Sequence, residues 1–408
     1  MWRAPRFLHP LLGEKIVTEF YGFLRSGGTV GVRNHLLVLA TVDCSFEPAK
    51  RIAAQVEGAV AVTQYHGCDI DNMVANTLVG VGCNPNVAGI LLVGLGCESL
   101  SPEILEHEIK ATGKPVESVV IQKEGGSLSA VQKGVRVLQR MAQEAAQLRR
   151  EAFPLSKLTL AIECGGSDAT SGLAANPATG IAADMIVDEG GTVIFSEPQE
   201  MTGTQHILAA RAVNEDVGKA IYGMVDRQEQ RMKATGVDSR FMPKGNIEGG
   251  LTTIEEKSLG AVRKGGTRPI QGVLENNYER FDKPSRSGLW LQDGTGWDVP
   301  SVTHMVGAGA QVVAFTTGRG STTGHAIAPV LKITGNPETY ASMQDNMDIN
   351  ASRVLDGSES LRSVGERIFK AIVDVASGRK TKAEALGYQD FIVFSWQRTT
   401  EHLLGFCL

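Results

Sequence analysis

The sequence predicts an α/β protein built on parallel β-sheets, and the N-terminal part of the chain provides the main observations. Three near-continuous apolar runs are typical of strands covered on both faces, at 34–44, 58–68 and 87–97. Segments of helix length separate these runs, as connections between parallel strands require. Each run also ends in a cysteine, at Cys44, Cys68 and Cys97. Because loops that follow parallel strands meet at one edge of a sheet, we expect the three thiols to converge there.

The strand-end cysteines have two interpretations. A cysteine outside a disulfide is commonly a small buried hydrophobic residue, and any one of the three fits that role. A thiolate triad at an open crevice instead suits iron, an iron–sulfur cluster or zinc, and it leaves one coordination position for substrate. His66 lies in the second of these loops, in the run His66-Gly67-Cys68. The recurrence of cysteine at corresponding positions of consecutive units favours the metal site.

The chain length of 408 residues indicates two or three domains. A fourth strand is predicted at 115–122, and an amphipathic helix should begin with Ser127 as its N-cap and continue to about Arg150. A second set of strands follows at 157–163, 191–197, 311–317 and 328–334. The predicted organisation is therefore an N-terminal arm at 1–33, a first α/β domain at 34–153 and a second, larger α/β domain at 154–408.

Composition excludes several classes of protein. The net charge is −5 with both signs dispersed, so nucleic acid is not an expected partner. No apolar run is long enough to span a membrane, and the first residues lack the pattern of a signal peptide. Six cysteines spread over a long chain do not form a secreted disulfide framework. We therefore expect a reduced, cytoplasmic enzyme with no membrane partner.

Further candidate residues lie in the second half of the chain. The loop Cys164–Asp168 is glycine-rich and follows a predicted strand, so its backbone N–H groups can hold an anion; Cys164 is either a thiolate or simply packed. Arg319 lies in the loop 316–323 among hydroxyl side chains, and its planar fork suits a carboxylate. Glu197 ends a strand and His206 follows in the next helix, where each is either a metal ligand or an acid–base group.

Several loop motifs together resemble the altronate/galactarate dehydratase family, from about residue 21 to the C-terminus. The motifs are Gly-Val-Arg-Asn-His (31–35), His-Gly-Cys (66–68), Asn-Pro-Asn-Val-Ala-Gly (84–89), Gly-Leu-Gly-Cys-Glu (94–98), Glu-Cys-Gly-Gly-Ser-Asp (163–168), Gly-Gly-Leu-Thr-Thr-Ile-Glu-Glu-Lys-Ser-Leu-Gly (249–260), Phe-Thr-Thr-Gly-Arg-Gly-Ser (315–321) and Met-Asp-Ile-Asn (347–350). The resemblance implies iron-dependent elimination of water from a sugar acid, which yields a 2-keto-3-deoxy acid. It also implies two Rossmann-like parallel-sheet domains, the first for dimerisation and the second with an unusual crossover. A small SAF-domain subunit would be a separate partner chain of a homodimer.

The resemblance also assigns provisional roles to residues of this chain. Iron, as Fe²⁺ or as a cluster, is placed at Cys44, Cys68 and Cys97, with Glu163, Asp168 and Glu197 as the alternative metal ligands. The candidate acid–base residues are His66, Lys257 and His206. Substrate binding is assigned to Asp168, Thr317, Arg319 and Ser321. Glu163 and Asp168 are alternatively ligands of a second, hard cation such as calcium or magnesium.

Two other functions remain open at the level of sequence. The run Asp69–Val74 after the His-Gly-Cys motif departs from the glycine-rich sequence usual in the family. A related branch removes sulfite from 3-sulfolactate and also works as two chains. A rival of another class is a non-catalytic subunit whose cysteines hold a structural metal. Glycine-rich loops on both halves of the chain argue against that rival, since a scaffold needs no ligand crevice.

Overall fold

The computed structural model describes residues 18–395 apart from 235, 237, 239 and 276–280. Within this part of the chain two parallel β-sheets, of four and seven strands, are each flanked by helices, which confirms the predicted α/β class. A third, antiparallel sheet contains β1 (Glu19–Leu24), β2 (Val30–Gly31) and β7 (Glu151–Pro154), in the order β2-β1-β7. Every described helix is too short or too polar to cross a membrane.

The predicted arm is ordered structure from Glu19 onward. β1 pairs antiparallel with β7, and Phe20 lies opposite Phe153. Phe20 is fully buried in the core beneath the larger parallel sheet, together with Val30 and Val32. The aromatic ring of Phe20 thus packs within this chain. The first residues of the arm lie outside the described part of the chain.

The first parallel sheet has the strand order β4-β3-β5-β6. Its strands are β3 (His35–Ala40), β4 (Ala59–Val62), β5 (Val87–Gly94) and β6 (Val116–Val120). Alternate residues of β3 face opposite cores: Val38 packs with the helices α1 (Phe46–Ala53) and α4 (Ser127–Ala145), whereas Leu37 faces α2 (Asn72–Cys83) and α3 (Pro102–Lys110). Because both faces are covered, all eight residues of β5 are buried.

The second parallel sheet has the order β10-β11-β9-β8-β12-β13-β14. Its strands are β8 (Thr159–Cys164), β9 (Thr192–Phe195), β10 (Ile270–Glu275), β11 (Gly288–Asp293), β12 (Val312–Thr316), β13 (Val330–Thr334) and β14 (Ile349–Asn350). Neither β10 nor β11 was predicted. β11 is inserted between β9 and β10, although it follows β10 in the chain, and this is the crossover that departs from a simple Rossmann order.

Helices cover both faces of the second sheet. They are α5 (Asn176–Asp188), α6 (Gln205–Ala209), α7 (Glu215–Ala234), α8 (Lys244–Glu248), α9 (Ile254–Ala261), α10 (Asp298–Gly307), α11 (Pro337–Ser342), α12 (Leu361–Ala376) and α13 (Lys382–Ala385). A π-helical turn at 171–175 runs directly into α5, so Asn176 and Pro177 do not break the helical segment. Pro177 is the second residue of α5, where its fixed φ suits the helix.

Two local predictions are corrected by the structure. The helix α4 has Gly126 as its N-cap and Ser127 as its first residue, and it ends at Ala145 before the predicted limit. The strands β3, β4 and β5 end before the cysteines that follow them: Cys44 lies in a short 3-10 helix at Asp43–Ser45, Cys68 and Cys97 lie in loops, and all three are exposed. The interpretation of these three as packed hydrophobic residues is therefore wrong.

The two parallel sheets are joined through helices and an asparagine pair. The helices α2 and α10 approach so closely that a Cβ added at Gly80 would lie 2.7 Å from the Gly307 carbonyl oxygen. Asn84 Nδ2 donates to the carbonyls of Val306 and Ala310 at 2.7 and 2.8 Å. Asn86 Nδ2 reaches two further carbonyls of the second domain. These side chains place the edges of the two sheets relative to each other.

Candidate active site

Each parallel sheet contains a switch point, where consecutive connections leave in opposite directions. In the first sheet β4 and β5 lie on opposite sides of β3, so the loops with Cys44 and Cys97 flank the switch point. In the second sheet β9 and β12 lie on opposite sides of β8. Cys164 ends β8, and Arg319 lies in the loop after β12. Ligands of open α/β sheets bind in the crevices that form at such points.

The three exposed cysteines are near neighbours at the edge of the first sheet. The pKa of the Cys68 thiol is raised, first by desolvation and then by the adjacent Cys97 and Cys44. The backbone N–H and the hydroxyl of Ser99 donate to the Cys68 carbonyl at 2.9 and 3.0 Å, which fixes the loop after β4 to the loop after β5. The loops that carry Cys68 and Cys97 are thus held together at the edge that the sequence predicted.

Glu98 organises the loop that carries Cys97. Its carboxylate accepts hydrogen bonds from the N–H groups of Gly96 and Cys97 at 2.7 and 3.0 Å, and from the Thr41 hydroxyl at 2.6 Å. Burial opposes ionisation, but these hydrogen bonds lower the pKa of Glu98. An ionised Glu98 therefore holds the Cys97 loop against the end of β3.

The candidate donor set consists of three exposed thiols. Among the described residues, no three side chains of His, Cys, Asp or Glu are close enough to one point to hold one metal ion. Cysteine ligands of an iron–sulfur cluster bind separate iron atoms and so do not need a common point. Three exposed thiols on adjacent loops match that chemistry. Iron at this position remains a prediction.

His66 is half-buried in the loop after β4. Its Nε2 lies 2.8 Å from the Val393 carbonyl oxygen, and since a carbonyl only accepts, Nε2 carries the proton in this contact. The preceding Tyr65 has a positive φ of 59°. Asp71 follows in the same loop and caps α2 by accepting the Val74 N–H at 3.0 Å.

A buried cluster of carboxyl and ammonium groups lies at the end of β8 and β9. Lys264 Nζ donates to Glu197 Oε2 at 2.5 Å and to Glu200 Oε2 at 2.8 Å. Lys257 Nζ lies 2.9 Å from Glu200 Oε1. Glu163 accepts a hydrogen bond from Ser301 at 2.7 Å, while its buried Oε1 has no hydrogen-bond partner.

The cluster separates the proton affinities of its carboxyl groups. Burial raises the pKa of Glu163 well above its ordinary value, and burial followed by repulsion from Glu200 raises the pKa of Glu197 to about 8. The same two causes raise the pKa of the half-buried Asp298 to about 6. For Glu200, burial is outweighed by Lys257 and Lys264, which lower its pKa to about 2. Neighbouring carboxyls with such different affinities are typical of acid–base sites.

Backbone strain coincides with these loops. Tyr65 and Glu197 are the two non-glycine residues with positive φ among those the structure describes, and the φ of Glu197 is 73°. The strained conformation of Glu197 is fixed by two contacts of its carboxylate, which accepts hydrogen bonds from Lys264 Nζ and, at 3.0 Å, from the Cys164 N–H. Non-glycine residues in this region persist where surrounding contacts over-determine them, commonly at functional sites. Cys164 itself is a packed thiol, since burial and then Glu200 raise its pKa to about 11.

The loop after β12 lies against the loop after β8. The Arg319 N–H donates to the Gly166 carbonyl at 3.0 Å, and the guanidinium is half-exposed at 3.8 Å from Glu248. The hydroxyl of Thr317 accepts the Gly320 N–H at 3.0 Å. Ser321 donates to the Thr323 hydroxyl at 2.9 Å. The Arg319 guanidinium is thus partly open to solvent beside Glu248, whereas the hydroxyls brace the loop.

Two predicted site residues lie apart from the buried cluster. The Asp168 carboxylate accepts from the Thr170 hydroxyl at 2.6 Å, the Ser171 N–H at 3.0 Å and Asn336 Nδ2 at 2.7 Å, so it ties loops together. Of the alternative metal ligands, Glu163 and Glu197 belong to the buried cluster, whereas Asp168 bonds to Thr170, Ser171 and Asn336. His206 is exposed on α6.

The sequence reasoning missed Glu200, Lys264 and Asp298. A usable signal existed for Glu200, because it follows Glu197 by three residues and both carboxylates can share one partner. Lys264 lies in a turn after α9 and had no local signal. Asp298 begins α10, whose start the sequence did not define.

Two family profiles match most of the chain. The profile described as D-galactarate dehydratase/Altronate hydrolase, second domain, matches residues 22–146. The profile described as D-galactarate/Altronate dehydratase, C-terminal, matches residues 155–399.

Two dehydratases and a sulfo-lyase subunit are similar over nearly the whole chain. The (2R)-sulfolactate sulfo-lyase subunit beta of Chromohalobacter salexigens is 37% identical and covers 92% of this chain and 96% of its own length. The galactarate dehydratase (L-threo-forming) of Escherichia coli is 34% identical, with 93% of this chain and 76% of that protein aligned. The altronate dehydratase of Bacillus subtilis is 30% identical, with 96% and 80% aligned.

Proposed function

Because the chain belongs to the D-galactarate/altronate dehydratase family, we propose that it is a hydro-lyase that removes water from a sugar acid and leaves a 2-keto-3-deoxy acid. The similar proteins are all named as lyases, and our proposal adds that the substrate of this chain is a sugar acid. The observation that supports this most is the buried Lys257–Glu200 ion pair beside the half-buried Asp298.

Elimination beside a carboxylate needs a cation for that carboxylate, a base for the α-proton and stabilisation of the developing enediolate. Arg319 supplies the cation, with Thr317 and Ser321 shaping its loop. Burial opposes the charge on Lys257, but Glu200 raises its pKa, so the ammonium persists at neutral pH and stabilises the enediolate. Asp298, with a pKa of about 6, is suited to take the α-proton, and His66 is the alternative base.

The thiols of Cys44, Cys68 and Cys97 would hold the iron. Bound iron supplies Lewis acidity toward a substrate hydroxyl. The contribution of this chain is to keep the three loops together through Ser99 and Glu98.

Removal of sulfite from 3-sulfolactate is a second candidate. It is favoured by the 37% identity to the sulfo-lyase subunit, which aligns over 96% of its length. Two of the three similar proteins are named as dehydratases of galactarate or altronate, and both family profiles carry that description, which favours the sugar acid.

We also propose a partner subunit and a homodimer in the cytoplasm. The name of the sulfo-lyase relative identifies it as one subunit of a complex. The two dehydratases contain a further fifth to a quarter of their length that does not align with this chain, since 80% and 76% of them align. A separate SAF-domain chain would supply the corresponding part.

A substrate panel tests the function. Anaerobically purified chain, with iron(II) and a co-expressed small subunit, is assayed with altronate, galactarate and 3-sulfolactate. The proposal expects a 2-keto-3-deoxy acid from a sugar acid and no sulfite from sulfolactate. Sulfite release with no keto-acid product from either sugar acid would establish the second candidate.

Lys257→Met tests the observation that carries the proposal. Loss of the ammonium should lower kcat/KM on the order of 10²–10³-fold, because a charge that stabilises the transition state is removed. Lys244→Met is the control, since that side chain is 89% exposed. Equal kcat/KM in the Lys257 variant and the wild type would contradict the assignment.

A further inference from the structure

The segment 390–395, named here the strap, has no regular secondary structure but is largely buried. Phe391, Val393, Phe394 and Ser395 are each at most 9% exposed, whereas Ile392 is 46% exposed. An irregular segment lacks the hydrogen-bond ladder of a strand or helix, so its side chains and individual carbonyls must hold it. Their partners therefore show what the strap connects.

At its first end the strap contacts the loop after β12. The Asp390 carboxylate accepts the Gly324 N–H at 2.8 Å, and its carbonyl accepts the Ala326 N–H at 3.2 Å. The Phe391 ring lies 5.8 Å from the His325 ring. This is the same loop that carries Arg319.

At its other end the strap contacts both domains. The Phe394 ring packs edge-on against Trp297 at 5.1 Å, directly before Asp298, and lies 6.4 Å from His304 on α10. The Val393 carbonyl accepts from His66 Nε2 at 2.8 Å. The Ser395 hydroxyl donates to the Asp71 carboxylate, which caps α2.

One segment of six residues thus touches three loops that carry candidate chemistry. They are the loop with His66 and Cys68 on the first sheet, and the loops with Asp298 and Arg319 on the second. The asparagine pair at 84–86 joins the domains near the other ends of the strands, where His35 N–H donates to the Asn86 carbonyl at 2.9 Å. The strap supplies the corresponding link at the ends that carry the site.

We propose that Val393, Phe394 and Ser395 are positioning residues, which set the His66–Cys68 loop of the first sheet against Asp298 and Arg319 of the second. The catalytic part of this inference rests on the proposed function. The mechanical part does not, because it concerns only whether the strap orders these loops. Small displacements of reacting groups are costly, so misplacement of one loop should lower kcat more than it changes KM.

Hydrogen exchange of the full chain tests the mechanical part without any assay. Phe394→Leu and Ser395→Ala are compared with Ile392→Ala, an apolar truncation in the same segment whose side chain is half-exposed. Faster amide exchange is expected at 64–71 and 297–300 in the first two variants, on the order of tenfold, with exchange of β5 and β8 unchanged. The Ile392 variant should match the wild type.

Exchange at 64–71 that is unaltered in both strap variants, or altered equally in Ile392→Ala, overturns the proposal. Where the sugar-acid activity is present, kcat of Phe394→Leu should fall on the order of 10–100-fold with a smaller change in KM. An unchanged kcat with faster exchange would refute the positioning role while leaving the proposed function intact. Absence of activity in the wild type would refute the proposed function. The hydrogen-exchange result alone would then decide whether the strap orders the loops.

Discussion

At the scale of single residues, the site depends on how burial distributes charge. Four carboxyl groups approach two lysines where water is excluded, so they cannot all be ionised. Glu200 takes the charge because it pairs with both ammonium groups. The neighbouring carboxyl groups of Glu163, Glu197 and Asp298 retain their protons to higher pH than Glu200 does. The cluster therefore contains a proton donor and a proton acceptor side by side.

Glu197 should make stability depend on pH. Its pKa rises to about 8 on folding, so the folded state binds the extra proton between about pH 4.5 and 8. The resulting stability is complete below pH 4.5 and is lost as the pH rises through 8. Glu197→Gln imitates the protonated form at every pH. The free energy of unfolding of this variant, relative to that of the wild type, should therefore increase by roughly 2–4 kcal/mol from pH 5 to pH 9.

Chemical denaturation at pH 5 and at pH 9 measures the free energy of unfolding of the variant and of the wild type. Glu366→Gln is the control, because that side chain is half-exposed in a surface pair and should show little difference between the two pH values. A Glu197 variant that changes in parallel with the wild type across this range would show that Glu197 stays ionised in the folded state.

Arg319 should be sensitive to a change that retains its charge. Arg319→Lys keeps a cation but loses the bidentate fork. The lost hydrogen bond should weaken transition-state binding by about 1–3 kcal/mol, and the resulting fall in kcat/KM should come mainly from a higher KM. Arg362→Lys, in an exposed surface pair, is the matched control. Steady-state kinetics at several substrate concentrations separate the two constants, and an unaltered KM would remove Arg319 from carboxylate binding.

At the scale of elements, the loops after strands carry the site and the strands only place them. Strand β5 is wholly buried, and the loop after it is shaped by Glu98 and Thr41. The apolar run predicted the strand correctly. It did not predict where the strand ends, because the run continues through Gly94 and Leu95 into the loop.

The cysteine loops should act as one unit in binding iron. Cys44→Ser, Cys68→Ser and Cys97→Ser should each lower the iron content and the activity together, because hydroxyl is a poor ligand for a soft site. Cys83→Ser is the control, since Cys83 lies half-buried at the end of α2. Iron is measured by elemental analysis and by visible absorption of anaerobic protein; full iron in all three variants would place the metal elsewhere.

At the scale of the whole molecule, loops from both parallel sheets are held by the same contacts. Asn84 and Asn86 fix the sheets to each other, and the strap reaches loops of both. A site assembled in this way responds to contacts distant from the chemistry. A partner subunit that binds near these loops would therefore affect turnover directly.

The isolated chain should fold but turn over slowly without a partner. Addition of a separately produced small SAF-domain subunit should restore the rate in a saturable manner, since binding is no longer intramolecular and depends on concentration. The rate is measured against subunit concentration at fixed high dilution of the large chain. Full activity at that dilution without any addition would contradict the two-chain proposal.

Local patterns were sufficient for much of this architecture. Continuous apolar runs predicted β3, β5, β8, β12 and β13, because a strand buried on both faces must be apolar throughout. The order of strand and helix then placed the three cysteines on one edge. Strand β1 and the later strands β10 and β11 lacked such runs, and they are defined by pairing with distant partners.

The chemistry of the second sheet was decided by the fold. Lys264 has nothing in its neighbourhood of sequence to mark it, yet it lies 2.5 Å from Glu197, sixty-seven positions away. Proton affinity depends on burial and on such distant charges, and neither is encoded in a local pattern. The sequence thus specified which loops carry reactive side chains, and the tertiary structure decided which of those side chains share a proton, because long-range packing sets their distances and excludes water.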